Sequence, residues 1–407
     1  MKVIENINNN TLFAKILNSK ESIFIFLLLL SNFFTKALYY EYNVTLTYYP
    51  STWVKSILLI AVIIQFFFLN KKQNTHYYLI ALAGIFLIEI IISSRFEGAF
   101  SIGSRAYYFI KYTFLFFLFP IINALDDTRM NKIVNVLLWI AKINVIFIVI
   151  GFLFKIDVFK SYPYTARYGY NGILPIQGAG SYFYIFMLSV VYYRYYVAYK
   201  MFKKASKKIY IDMIVIVLGS LLVGTKAIFL FIVLLFFIDV YFRLKQKVIL
   251  ISSLVISGIV FFLFCDAIVL AMLKFLNLHE SLYTDNSLLT FLTSKRDILF
   301  TNAMSYISEN WNFVNYFIGG VDFNIIRVEF EIVDIFLFFG IIGVIIYALF
   351  FKNVFFKKHQ IVYNLILSTI LLISLLSGNL IGSITNTLFF CITVLYLKKL
   401  EKKTADA

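Results

Sequence analysis

Cysteine, histidine and charge are all scarce in this chain of 407 residues. The two cysteines, Cys265 and Cys391, fall in or beside apolar stretches, and the three histidines, His76, His279 and His359, lie far apart. Neither a disulfide framework nor a clustered metal site is indicated. Charged residues make up 14% of the chain and hydrophobic ones 61%, whereas ordinary soluble domains carry about 25% and about 45–50%. That balance excludes a soluble globular domain. The first apolar run follows some polar twenty residues, is long, and has no small-residue cleavage site after it, so it reads as an uncleaved anchor. Low-complexity linkers, a second soluble domain and short repeats are lacking too.

What the chain has instead is a succession of apolar runs, each close to the roughly 20 residues that carry a helix across a hydrocarbon core. They lie near 22–38, 53–69, 77–93, 106–124, 133–154, 177–199, 209–223, 227–242, 248–266, 330–350, 361–376 and 383–397. The pattern predicts an all-α, polytopic membrane bundle of about 12 helices, forming a single domain over residues 1–407. The net charge of +16 would point a soluble protein toward nucleic acid, but in a membrane protein its distribution matters more. Lysine and arginine concentrate in the N-terminal segment 1–21, in "NKKQNTH", "DDTRMNK", "KMFKKASKK", "RLKQK" and "FKNVFFKK", and in the tail 398–407. The positive-inside rule makes these cytoplasmic, together with both termini. Two external segments are long: 155–176, and 267–329 between the ninth and tenth spans. Within the second, "RDILFTNAMSYISENW" has helical apolar spacing and predicts short helices over the membrane face.

Four places carry candidate chemistry. In "FNIIRVEFEIVDIF", if 327–334 continues the tenth helix, Arg327, Glu331 and Asp334 share one face and Glu329 points elsewhere. Acids suit a helix entrance and an Arg327–Glu331 pair would add a few tenths of a kcal/mol. Asp334 sits a turn deeper, where a charge is costly and is generally kept for a site. In "TARYGYNGILPIQGAG", Arg167 stands among tyrosines including Tyr168, ahead of Asn171; the segment suits either anion and sugar binding or an interfacial aromatic belt. In "LLVGTKAIFLF", Lys226 occupies a tight external turn, as a snorkelling anchor or as the lining of a cavity. In "TSKRDILF", Lys295, Arg296 and Asp297 mark a helix start. Lys111, Lys142 and Glu89 lie within spans, where intramembrane pairing and a path for polar lipid headgroups are both open. The four places share the external side, where cations match a pyrophosphate and a carboxylate could deprotonate a sugar hydroxyl.

With its spans, "VGTKAIF" at a tight outer turn, "SKRDILFTNAM" in a late external loop and then "EFEIVDIFLFFGIIGVIIY", the chain resembles the Wzy-type O-antigen and capsular polysaccharide polymerases. That group is related to the O-antigen ligases and to the GT-C-like membrane glycosyltransferases. The resemblance implies a metal-independent glycosyltransferase without a cofactor, in the bacterial cytoplasmic (inner) membrane. It would move a growing glycan from undecaprenyl pyrophosphate to a lipid-linked repeat unit on the outer face. It implies pyrophosphate or sugar contacts from Arg167, Lys226, Arg296, Arg327, Tyr168 and Asn171, and catalytic acids among Glu329, Glu331 and Asp334. Membrane lipid, a chain-length regulator and a flippase of the same pathway would be its partners, and nucleic acid would not. Lysine at 226, where the group often has arginine, loses the bidentate fork. The ligase branch commonly has a histidine just before the late span; here that place holds glutamate, which favours polymerase over ligase.

A ligase, a lipid-linked oligosaccharide flippase and a secondary transporter are the competing readings. A transporter of two six-span halves would be expected to show its longest break near the middle. Here the connection between the sixth and seventh spans is only "KMFKKASKK", and the long loop is late and external.

Overall fold

The computed structural model describes residues 20–40, 49–68, 75–96, 102–162, 168–243, 290, 293–358 and 360–405. The architecture is all-helical. In chain order the helices are α1 (Lys20–Tyr40), α2 (Pro50–Phe68), α3 (Thr75–Phe96), α4 (Ile102–Asn123), α5 (Asp127–Phe154), α6 (Gln177–Phe202), α7 (Lys207–Val223) and α8 (Lys226–Arg243). They continue as α9 (Arg296–Asn310), α10 (Phe313–Ile318), α11 (Glu331–Val354), α12 (Ile361–Ser377) and α13 (Ile384–Ala405). Among the described residues no strand forms beyond an isolated bridge between Lys160 and Tyr170. Six of these helices, α1 to α5 and α11, are long and apolar enough to cross a membrane. The ninth span read from the sequence, 248–266, lies outside the described residues, as does Arg167.

The core is built from helices buried nearly all round. Tyr182 to Tyr193 of α6 form an uninterrupted buried run, and Tyr112 to Ile122 of α4 another; such surfaces belong to central helices rather than to amphipathic ones. α6 packs on α7, α8 and α13, and α4 packs on α2, α3 and α13. Charged groups inside pair with one another, as a low-dielectric interior favours. Glu89 on α3 and Arg105 on α4 form an ion pair that is almost fully buried, and Arg105 also donates to the Gly320 carbonyl at 3.1 Å. Lys142 on α5 meets Asp212 on α7 at 2.9 Å. Of the two readings open for charges within spans, pairing therefore holds for Glu89 and Lys142. Removing one member of the Arg105–Glu89 pair breaks a buried ion pair, at about 3–5 kcal/mol. Arg105→Met is expected to lower the thermal midpoint in detergent strongly, and Arg105→Met/Glu89→Met to recover most of it. A double variant no more stable than the single one would exclude the pair as the cause.

The helix ends fall into two sets. At one end, Arg194 donates to Tyr396 at 2.7 Å and to Asn135 at 2.9 Å, and Lys398 donates to the Val354 carbonyl at 3.0 Å. At the other end, Lys36 reaches the loop before α6, Tyr182 reaches the end of α12, and the start of α11 reaches the loop before α13. Every candidate site residue that is described lies at this second end.

α11 is broken. Gly340 has φ +66° and ψ −169° inside it, and the carbonyl of Leu337, one turn earlier, accepts from the Gly320 and Val321 N–H groups, each at 3.1 Å. A β-carbon on Gly340 would fall 2.2 Å from the Phe317 backbone carbonyl, and one on Gly319 2.4 Å from that of Phe338. Two backbone segments thus meet at distances that only glycine permits. The break seats the short α10 and the turn after it against α11, and fixes how residues 321–330 approach the site.

Candidate functional site

The three acids of the "EFEIVD" run do different things. The helix begins at Glu331, not at Arg327, and residues 327–330 are an extended turn with Glu329 at φ +62°. The direct Arg327–Glu331 ion pair expected from a continuous helix does not form among the described residues; Arg327 pairs with Asp334 instead. Glu331 is 2% exposed and spends both oxygens on backbone N–H groups: Leu380 at 2.7 Å, Ile381 at 2.8 Å and Gly382 at 3.1 Å. Its carboxylate pins the loop between α12 and α13. Asp334, 1% exposed, accepts from the Val328 N–H at 3.0 Å, the Glu329 N–H at 3.3 Å and Arg327 Nε at 3.3 Å. It is the cap that holds the turn. A buried carboxylate with its lone pairs so occupied has little left for a substrate proton.

Glu329 differs. Its side chain is 43% exposed, and one oxygen, Oε2, accepts from Arg296 Nη2 at 3.3 Å. Oε1 has no hydrogen bond among the described residues. The left-handed backbone there is one that a non-glycine residue adopts at a cost, and such strain gathers where the surroundings fix a side chain for use. Gly378 makes the conformation accommodable, since a β-carbon on it would lie 2.2 Å from the Glu329 carbonyl oxygen.

Two arginines flank this carboxylate. Arg296 opens α9, oriented by its pair with Glu329. Arg327 is held by Asp334 on one side and by the Asn379 side-chain oxygen on the other. Beside Arg296, Asp297 is a local brace: Thr290 and then Thr293 donate to it, and these bonds hold its carboxyl below the usual range. Lys226 Nζ lies 3.4 Å from Ser294 Oγ, which ties the start of α8 to the approach to α9.

The segment after Arg167 joins the same line. Tyr170 N–H donates to the Leu222 carbonyl at 2.8 Å and Ser161 Oγ to the Val223 carbonyl at 3.2 Å. Tyr168 is 37% exposed and its ring abuts Gly224, two residues before Lys226. Asn171 is fully buried: its side-chain oxygen accepts from Lys36, whose ammonium also donates to the Gly172 carbonyl at 2.9 Å. That makes Asn171 a packed post for α1 rather than an open contact.

Tyr168, Lys226, Arg296, Glu329 and Arg327 are thus strung along one rim by successive contacts, whereas Asn171, Glu331 and Asp334 lie beneath it. Sequence reading missed the "SGNLIG" loop, residues 377–382, which supplies Asn379, the nest for Glu331 and the glycine opposite Glu329. Its only sequence signal is a pair of glycines flanking an asparagine between two apolar runs, and Asn379 does take a left-handed φ of +61°. Among the described residues no group of three or more histidine, cysteine, aspartate or glutamate residues could hold a metal ion.

By fold and site, this is an all-helical protein with several helices able to cross a membrane and a charged rim at one end. Comparison with family models, with curated proteins and with solved structures returns no match.

Proposed function

We propose that this chain is a polysaccharide polymerase of the bacterial inner membrane, crossing the bilayer about twelve times with both termini in the cytoplasm and the rim on the outer face. The supporting observation is the pairing of one accessible carboxylate, Glu329, with Arg296, beside a braced Arg327. In the proposed reaction, a hydroxyl of the acceptor repeat unit attacks the anomeric carbon of the donor glycan. The bond from that carbon to the diphosphate oxygen breaks, and the lipid diphosphate leaves with the electron pair. Glu329 takes the hydroxyl proton, and Arg296 and Arg327 neutralise charge growing on the diphosphate, the point at which fixed cations help most. No metal is needed in such a step. A rim set at the end of a bundle also suits a large glycan that must remain in water while its lipid stays in the membrane.

The test is a gel of lipid-linked glycans from cells with the gene, without it, and with Arg296→Ala. Loss of long chains in the deletion and the variant, with single repeat units still reaching the outer face, is the expected result. Long chains that persist on the carrier but fail to reach their final acceptor would make the protein a ligase. Single units trapped on the cytoplasmic face would make it a flippase.

A further inference from the structure

The segment after α9 does not stay at the end of the bundle. α10 packs on both α3 and α11, well below the helix ends that carry the rim. Gly320 and Val321 donate to the Leu337 carbonyl, and the Phe317 carbonyl abuts Gly340. From the start of α11 at Glu331, Leu337 and Gly340 lie about 9 and 14 Å along the axis at 1.5 Å per residue. On α3, a β-carbon on Gly320 would lie 3.1 Å from Glu89 Oε1, and Glu89 stands about 10 Å before the end of that helix at Phe96. Two helices therefore give one depth. α11 has 24 residues, about 36 Å, against a hydrocarbon core about 30 Å thick. Even with all of that excess projecting on the rim side, Leu337 and Gly340 would lie inside the core.

Irregular backbone survives at membrane depth only where protein satisfies its polar groups, and here it does. Gly319 N–H donates to the Asn315 carbonyl at 2.7 Å, and the Gly319 carbonyl accepts from Asn315 Nδ2 at 3.0 Å. The N–H groups of Gly320 and Val321 share the Leu337 carbonyl, each at 3.1 Å, and the Gly320 carbonyl accepts from Arg105 Nη2 at 3.1 Å. The buried Arg105–Glu89 pair thereby carries a donor to the tip of the turn. The start of α10 is closed as well. Asn312 Oδ1 accepts from the Val314 and Asn315 N–H groups at 2.9 and 3.2 Å, and Asn315 Oδ1 accepts from the Asn312 N–H at 3.1 Å. A turn in water could leave these groups to solvent.

The side chains of this segment match that depth. No charged residue and no histidine occurs between Glu309 and Asp322. Phe313 is 77% exposed, and Val314, Tyr316 and Phe317 are exposed too. Phe313 and Phe317 pair their rings at 5.1 Å, and Trp311 meets Tyr316 at 5.3 Å; tryptophan and tyrosine are the residues enriched where a bilayer meets water. An uncharged aromatic face is costly in water and costs nothing against lipid chains.

We propose that residues 311–321 are a re-entrant element sunk in the bilayer leaflet on the side of the rim, with Phe313, Val314, Tyr316 and Phe317 against its lipid chains. The partner is the acyl region of that leaflet, entered to about 5–10 Å as apolar interfacial faces are. Residues 322–330 are the return limb, which carries Arg327 and Glu329 from the turn back to headgroup level. The placement goes beyond the transfer reading and stands without it.

The test is the collision of a nitroxide label with oxygen and with a water-soluble nickel chelate, measured on the full-length protein in phosphatidylcholine vesicles. Phe313→Cys and Phe317→Cys carry the label, each in a Cys265→Ala/Cys391→Ala background. Ile345→Cys, exposed within the span of α11, sets the lipid reference, and Lys204→Cys, exposed in the loop after α6, the water reference. Oxygen is expected to relax the labels at 313 and 317 more than the chelate does, as at 345. Dominance of the chelate, as at 204, would overturn the proposal by placing the element in water. Shielding from both reagents would also overturn it, by placing protein against the face. Should a labelled variant not elute as the wild type does, Trp311 serves as the probe in Trp53→Phe/Trp139→Phe. Its fluorescence should be quenched more by bromine-bearing lipid than by iodide, and the reverse order would overturn the proposal.

Discussion

Glu329→Gln will abolish long glycan chains, with a loss of about 10²–10⁴-fold in the rate of transfer, and will leave the thermal midpoint of the purified protein nearly unchanged. The amide keeps the size and the left-handed backbone of the residue and still accepts from Arg296 through its oxygen, but it no longer takes a proton. Because the side chain is 43% exposed, little packing depends on its charge. Glu331→Gln and Asp334→Asn should behave in the opposite manner. Each puts an NH₂ group among donors that now face carboxylate oxygens, so each should lose stability, at about 1–3 kcal/mol for every buried donor left unpaired. Activity and melting temperature measured together separate the two roles. Long chains of normal length in Glu329→Gln would eliminate it as the base.

Gly340→Ala is expected to yield little or no folded protein, seen as loss of the monodisperse peak in size-exclusion chromatography. The backbone at φ +66° and ψ −169° belongs to a region used almost solely by glycine, at about 1–3 kcal/mol for any other residue. The added carbon would also fall 2.2 Å from the Phe317 carbonyl carbon and oxygen. Backbone on both sides means that no rotamer change relieves the overlap. Gly84, by contrast, sits inside α3 with nothing within 4 Å of a β-carbon, and Gly84→Ala should be neutral or stabilising by up to about 1 kcal/mol. If the two variants melt alike, the contact of α10 with α11 does not hold the fold.

The sequence by itself determined the class of structure. A chain so poor in charge and so rich in long apolar runs has few ways to satisfy its backbone other than helices, and the described helices fall where those runs lie. It also located the helix over 296–310 and the gathering of Arg296, Glu329 and Arg327 as candidates, because a charge amid apolar residues stands out in any reading.

Tertiary structure decided which of those charges are spent and which are left. Glu329, Glu331 and Asp334 look alike in a row of letters. What separates them is partners supplied from elsewhere: the N–H groups of 380–382 for Glu331, the turn at 328–329 for Asp334, and a single arginine for Glu329. The same holds for the lysines, since Lys142 finds Asp212 seventy positions on whereas Lys111 lies over the rings of Tyr107 and Tyr108 and has no carboxylate partner among the described residues. The break at Gly340 was equally hidden, because an apolar run containing two glycines, Gly340 and Gly343, reads as a continuous helix until another backbone is known to press against it. Hydrophobic periodicity is local and survives in the sequence. The fate of a buried charge depends on residues brought close only by folding.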